Sequence, residues 1–132
     1  RCVKCSKSVG MCSQCLLVVA PQTTHDNIEL RCPTPRCGSK LARCRNFQSA
    51  GCNQYVSDAD APTSDMCHFC RLTTVLPDLT VQGNLEKWIE LEAAKRRVLY
   101  LVRLLGFPLV AQAGELPLVF EFKADTAQPT TT

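Results

Sequence analysis

The sequence has few of the residues that fill the core of a small globular domain. Aromatic residues make up 6% of its 132 residues, and hydrophobic residues make up 45%. A chain of this size with so few aromatic side chains has a thin core, and such domains usually need a disulfide or a metal ion to hold them together. The core composition therefore directs attention to cross-linking residues.

Long apolar segments are also missing. The sequence has no secretory signal and no apolar run long enough to span a bilayer, because the longest run, residues 98–105, contains Arg103. We therefore expect a cytoplasmic protein in a reducing compartment, with no membrane partner.

Histidines and catalytic patterns are scarce. The two histidines, His25 and His68, lie far apart, and neither belongs to an HExxH motif. In that motif two histidines one helical turn apart hold a catalytic zinc ion, and the glutamate acts as general base. The sequence thus predicts no catalytic residue in this chain.

Cysteine, in contrast, is abundant. Six of the ten cysteines form three CxxC pairs, which are Cys2/Cys5, Cys12/Cys15 and Cys67/Cys70. A CxxC turn readily places two thiolates on one metal ion, whereas structural disulfides seldom close so short a loop. The spacing therefore favours structural Zn²⁺, two ions with four ligands each, which leaves two thiols spare. Thioredoxin-like redox chemistry is disfavoured, because it needs the motif at the start of a helix that follows a strand.

The later cysteines form one candidate site, with the spacing C-x7-C-x14-C-x2-C. Its members are Cys44, Cys52, Cys67 and Cys70. Four thiolates close a tetrahedral zinc site with no open position, so such a site stabilises the fold and does not catalyse. His68 lies inside the last CxxC, but four cysteines already satisfy the metal.

The earlier cysteines leave two arrangements open. In the first, the two CxxC pairs surround one ion, and the ligands are Cys2, Cys5, Cys12 and Cys15. In the second, Cys12 and Cys15 combine with Cys32 and Cys37 across a hairpin of residues 16–30. In that hairpin the apolar strand 16–19 pairs with residues 28–31.

The strongest periodic signal predicts a helix over residues 85–105, with Asn84 as N-cap and Gly106 at the C-terminal cap. Apolar residues recur at spacings of three and four along it: Trp88, Leu91, Ala94, Val98, Leu101, Val102 and Leu105. The alternating residues Leu116, Leu118, Phe120 and Phe122 predict a strand that packs on this stripe. The expected fold class is small α+β: zinc ribbons or knuckles with short β hairpins, then one long amphipathic helix and a terminal strand.

Four segments follow from these patterns. They are an N-terminal zinc-ribbon lobe over 1–42, a second knuckle lobe over 43–80, the helix and strand over 81–125, and a disordered tail over 126–132. Charge is uneven, since residues 1–45 carry eight Lys/Arg against two acids, a net of +6, and the remainder carries −3. A basic lobe permits contact with nucleic acid. The simpler interpretation, which we prefer, is that the cations surround negatively charged thiolate clusters.

Several motifs in the second part of the chain occur in a recognisable order. They are Arg43-Cys44-Arg45-Asn46-Phe47, Gly51-Cys52-Asn53, Cys67-His68-Phe69-Cys70-Arg71-Leu72, Val75-Leu76-Pro77-Asp78-Leu79 and residues 91–100. Together they resemble the region that precedes the catalytic domain in a family of zinc-binding metallopeptidases. The resemblance covers about residues 43–123.

The resemblance implies a zinc ribbon placed before a catalytic domain that carries HExxH, with that domain outside this chain. It implies one site at Cys44, Cys52, Cys67 and Cys70, and a ribbon at Cys2, Cys5, Cys12 and Cys15. On this hypothesis the chain is a structural zinc module that positions protein substrates or partners, and its partner is the catalytic half of the same protein. The alternative is a stand-alone adaptor that binds protein or nucleic acid through the basic lobe.

Overall fold

The computed structural model describes residues 1–26, 29–59, 64–109, 114 and 118–124. The chain forms two compact units, Arg1–Arg71 and Leu72–Thr132. The division between these units thus falls after Arg71. The segment boundaries expected at residues 42 and 80 stay predictions. The tail over 126–132 lies outside the described residues.

A six-stranded sheet organises the first unit. Its strands are β1 (Gly10–Cys12), β2 (Val18–Val19), β3 (Gln22–Thr23), β4 (Leu30–Arg31), β5 (Lys40–Arg43) and β6 (Gln54–Ser57). Their spatial order is β2-β1-β6-β5-β4-β3, and every neighbouring pair is antiparallel except β1 and β6. Two short helices, α1 (Asn46–Ser49) and α2 (His68–Arg71), belong to the same unit.

The hairpins differ from the predicted one. Strand β2 pairs with β1, so that Val18 lies opposite Met11, and β4 pairs with β3. The expected pairing of residues 16–19 with 28–31 is therefore wrong. The chain reverses at residues 12–16, immediately before β2, and this turn brings β2 back onto the strand that precedes it.

Strand β6 lies inside the sheet, because it pairs with β1 on one side and with β5 on the other. The approach to β1 is close: a Cβ atom at Gly10 would collide with the Asn53 carbonyl oxygen and the Tyr55 ring. A glycine is therefore required there. One cluster of buried side chains in this unit consists of Cys12, Val19, Cys32, Leu41 and Tyr55.

The second unit contains the long helix α3 (Asn84–Leu104) and a short parallel pair, β7 (Thr73–Val75) with β8 (Phe120–Glu121). The predicted helix is confirmed, and its observed bounds differ from the predicted ones by one residue at each end. Its N-cap is Gly83 with a φ of 86°, and not Asn84, whose side chain donates to the Asp78 carbonyl at 2.8 Å. Gly106 has the left-handed conformation expected at the C-terminal end, with a φ of 79°. No helix in the described ranges has the length and apolarity that crossing a membrane requires.

The face of α3 that is buried is not the predicted apolar stripe. The buried side chains are Trp88, Glu92, Lys95, Arg96 and Leu99. Five members of the stripe, which is fully described, are exposed: Leu91, Ala94, Val98, Leu101 and Leu105. Ion pairs replace apolar packing on the buried face, since Glu92 lies 2.7 Å from Lys95 and 3.5 Å from Arg96.

The terminal strand meets the helix through this charged face. The Lys95 ammonium group lies 5.4 Å from the centre of the Phe120 ring and 5.8 Å from that of Phe122. The predicted strand was longer, and of its four apolar residues Leu116 lies outside the described residues while Leu118 is exposed. The expected packing of the strand on the apolar stripe is thus replaced by packing on a lysine.

Candidate metal centres

Two turns of the first unit bring four cysteines together. Cys12 is the last residue of β1 and Cys15 lies in the turn that follows, while Cys32 and Cys37 lie in the segment after β4. The Sγ atoms of Cys12 and Cys37 are 3.8 Å apart, as are those of Cys15 and Cys32. We call these four residues the first tetrad.

The backbone of each turn explains why the thiols converge. In the turn of Cys12, the N–H of Leu16 donates to the Cys12 carbonyl at 2.9 Å, and Leu16 has a φ of 59°. In the turn of Cys32, Gly38 has a φ of 58° and its N–H donates to the Thr34 carbonyl at 3.2 Å. A left-handed residue directly after the second cysteine lets the chain fold back, so that both thiols of a pair point to the same side.

A second tetrad lies deeper in the same unit. Its members are Cys44, which follows β5, Cys52, which precedes β6, and Cys67 and Cys70, which come from the segment that forms α2. All four are at most 2% exposed. The Cys52 Sγ atom is 3.8 Å from that of Cys67 and 3.7 Å from that of Cys70. Backbone N–H groups also point at the sulfurs, as in the 3.3 Å contact of the Cys67 N–H with Cys44.

These distances suit a tetrahedral ion. A tetrahedron with zinc–sulfur bonds of about 2.3 Å has edges of about 3.8 Å. The measured sulfur–sulfur distances of 3.7–3.8 Å match that edge, and all four sulfurs of each tetrad lie within 4.8 Å of one another. A disulfide would need about 2.05 Å. The donor set of each tetrad therefore fits one structural Zn²⁺ ion, and the chain fits two.

Comparison with known protein families also indicates a zinc-binding domain. A family described as a zinc-ribbon domain matches residues 1–81, a range that contains both tetrads. The chain belongs to this zinc-ribbon family. No curated protein and no solved structure matches it.

The electrostatics of the zinc-ribbon sites show why the thiols need a cation. In the first tetrad, burial raises the pKa of Cys12 to about 12. The hydrogen bond with the Ser39 hydroxyl lowers the pKa of Cys37 to about 7. In the second tetrad, the hydrogen bond with Cys52 lowers the pKa of Cys44, and the contact with Cys44 raises that of Cys67. Some of the clustered thiols thus hold their protons until a metal ion displaces them.

The structure brings some of the predicted ligands together and leaves others outside the tetrads. The second tetrad contains the same four residues that the sequence spacing put together. The first tetrad is the second of the two arrangements that the sequence left open, because it combines Cys12 and Cys15 with Cys32 and Cys37. It does not include Cys2 and Cys5, which the resemblance implied. The physical reason is the sheet: β1 is parallel to β6, and β5 is antiparallel to both β6 and β4, so β1 and β4 run in the same direction. The turns that follow these two strands therefore lie at the same end of the sheet.

Other residues near the sites have lesser roles. His68 is not a member of the second tetrad, and its Nδ1 lies 3.4 Å from the Arg71 guanidinium. Thr34 and Ser39 contact the thiols of Cys15 and Cys37 at 3.8 Å and 3.3 Å. Sequence reasoning missed both hydroxyls. The one local signal for this turn is Gly38 after Cys37, the residue type that a left-handed position favours.

Proposed function

We propose that this zinc ribbon is a binding module whose two Zn²⁺ ions are structural and take no part in catalysis. The observation that supports this most strongly is the closed donor set: each tetrad offers four thiolates at the edge lengths of a zinc tetrahedron. A catalytic zinc site keeps one position for water or substrate, with three protein ligands. Thiolate ligands also require reduced cysteines, which favours a reducing compartment such as the cytoplasm.

X-ray absorption at the zinc edge tests the closed shell. The expected result for the protein with two ions bound is a first shell of four sulfurs at about 2.3 Å and no oxygen. A mixed shell of sulfur and oxygen would show an open site and would overturn the structural assignment. The wild-type protein itself is the sample, so the test does not depend on a variant that folds.

The adaptor function has a candidate surface in the first unit. A groove of about 550 Å³ is lined by Lys7 and Arg43 together with polar and apolar side chains. The Arg43 guanidinium lies 4.1 Å from the centre of the exposed Phe47 ring and 5.8 Å from that of Tyr55. A cation held on aromatic rings beside an open groove suits an anionic partner, and single-stranded nucleic acid has both the phosphates and the flat bases.

Salt titration distinguishes this partner from others. Binding of a single-stranded oligonucleotide should weaken steeply with salt, and Arg43→Ala should reduce the logarithmic salt slope by about one, as expected for one lost phosphate contact. Arg36→Ala is the matched control, because Arg36 is exposed in the same unit but does not line the groove. Equal effects of the two substitutions, or no binding, would rule out the groove as a nucleic-acid site.

The metallopeptidase context is the second candidate, and the resemblance of residues 43–123 supports it. In that context the zinc ribbon organises the region before a catalytic domain and positions protein substrates. Sequencing the transcript beyond the codon of Thr132 tests this proposal. A downstream HExxH helix would support it, and a stop codon soon after that position would contradict it.

A further inference from the structure

Two cysteines lie outside both tetrads, although they form a CxxC pair. Cys2 is partly buried and Cys5 is exposed, and Val3 between them is fully exposed. The other eight cysteines all belong to the tetrads. A pair of thiols at the surface, with no assigned role, therefore remains to be explained.

The backbone around this pair repeats that of the first tetrad. The N–H of Cys2 donates to the Lys7 carbonyl at 2.9 Å, and the N–H of Cys12 donates to the Leu17 carbonyl at 3.0 Å. In the return direction, Ser6 donates to the Cys2 carbonyl at 2.8 Å. Residues 2–7 and residues 12–17 thus share both hydrogen bonds at the same spacings.

The conformation of the residue after the second cysteine also agrees. Ser6 has a φ of 56° and Leu16 a φ of 59°, and these are the two non-glycine residues with positive φ in the described part of the chain. A left-handed conformation is unfavourable for a residue with a side chain. Both turns adopt it directly after a CxxC, where it brings the two thiols to one side.

The donors to sulfur match as well. The N–H groups two and three residues after Cys2 point to its thiol, as the corresponding groups do for Cys12. The side chain of Cys5 also contacts the thiol of Cys2. The Cys2/Cys5 pair therefore shares with the Cys12/Cys15 turn of the first tetrad its backbone hydrogen bonds and the N–H groups directed at the first sulfur, but it supplies two ligands where four are needed.

We propose that Cys2 and Cys5 form half of a third zinc site, which the same two cysteines of a second copy of the chain complete. In the described residues, no group of three or more potential ligands includes either thiol, so the missing donors come from outside this set. A two-fold axis through the ion places two identical pairs around it and closes the contact at a dimer.

Charge and exposure both favour this arrangement. A zinc ion with four thiolates carries a net charge of −2, and two copies bring Arg1, Lys4 and Lys7 twice to its neighbourhood. The tip of the turn, at Val3 and Cys5, is exposed, so that a second copy can approach it. The occupant that this surface fits is therefore another copy of the chain joined through the metal.

Native mass spectrometry of the reduced protein during a zinc titration tests the proposal. The expected product is a dimer with five Zn²⁺ ions, of which four fill the tetrads and one is shared. It should form only after the tetrads are filled, and it should dissociate when a chelator removes the weakest-held ion. A monomer with three ions would mean that the chain completes the site alone, and a monomer with two at every zinc concentration would mean that no third site exists. Either result overturns the proposal.

A double variant and a matched control identify the ligands. Cys2→Ser combined with Cys5→Ser should keep two ions per chain and lose the dimer. Ser6→Gly should keep the dimer, because glycine adopts the left-handed conformation freely. A dimer that survives the double substitution, or one that reductant dissolves and a chelator does not, would refute the shared zinc site.

Alkylation of the wild-type protein gives an independent measurement, which does not require any variant to fold. Cys2 and Cys5 should react with iodoacetamide in the monomer that holds two ions. They should be protected in the dimer, while the tetrad cysteines are protected in both. Equal labelling of the pair in monomer and dimer would show that these thiols do not hold the shared ion. The test also separates this proposal from the binding function above, because it measures no partner other than the chain itself.

Discussion

Removal of zinc should unfold the first unit and leave α3 in place. A structural zinc site contributes about 10–16 kcal/mol in small domains, and the whole net stability of a domain is about 5–15 kcal/mol. The buried apolar side chains of the described first unit that are not cysteines are few: Met11, Val19, Leu41, Ala50, Tyr55, Val56 and Phe69. At about 1.5–3 kcal/mol for each of the larger ones, they cannot replace the two ions together. All ten cysteines precede Leu72, so the second unit loses no ligand.

Hydrogen exchange read by mass spectrometry measures this outcome segment by segment. After treatment with a strong chelator, the amides of the six strands should lose their protection, whereas those of Asn84–Leu104 should keep theirs. Native mass confirms that the protein is free of metal, and the same chelator saturated with zinc is the control. Strand amides that stay protected in protein shown to be free of zinc would refute the reasoning, because the sheet would then be stable without its ions.

Three further predictions follow from the site and the helix. Cys32→Ser should release the ion of the first tetrad and lower the unfolding temperature strongly, while Cys2→Ser should change neither the zinc content nor the unfolding temperature of the monomer. Metal analysis and thermal unfolding measure these two quantities, and equal losses in the two variants would contradict the assignment of ligands. Glu92→Ala leaves buried cations without their carboxylate and should lower the free energy of unfolding by about 3–5 kcal/mol, more than Glu92→Gln does. Denaturant unfolding followed through the helix signal measures both losses, and equal losses would mean that the charge is unimportant. Zinc affinity at the first tetrad should fall as pH falls, and more steeply below about pH 7. Zinc displaces a proton from Cys12 (pKa about 12) over the whole range, but from Cys37 (pKa about 7) only below about pH 7. A competition titration in which the affinity does not change with pH would contradict this prediction.

Some of this fold could be predicted because the signals are local. The helix needs only its own periodicity and a glycine at its end, and the described bounds differ from the predicted ones by a single residue at each end. The second tetrad could be found from spacing because the first six cysteines offered a separate set of ligands. The zinc-ribbon class followed from the CxxC turns, whose geometry is fixed within a few residues.

The ligands of the first tetrad could not be chosen in this way. The turns of Cys2 and Cys12 share the CxxC spacing and the backbone hydrogen bonds, so nothing local tells which pair shares an ion with the other cysteines. The choice is made by strand pairing over a longer distance: β4 pairs with both β3 and β5, and β6 pairs with β1. The pairing of β1 with β6 joins residues far apart in the chain. The strands are also too short, at two to four residues, for their alternation to predict their pairing.

The orientation of α3 shows a different limit of sequence reasoning. Periodicity identifies a helix whichever face is covered, and here the apolar stripe predicts the wrong face. What the structure buries instead is Glu92, whose Oε1 accepts from the Thr73 hydroxyl at 2.6 Å and from the Lys95 ammonium at 2.7 Å. Arg96 adds a second cation at 3.5 Å from the other carboxylate oxygen. Burial of a carboxylate is tolerated when such partners offset its desolvation, and it is costly when any one of them is missing. The buried face is therefore selected by several groups acting together, one of them a threonine outside the helix, and no spacing within the helix reveals that combination.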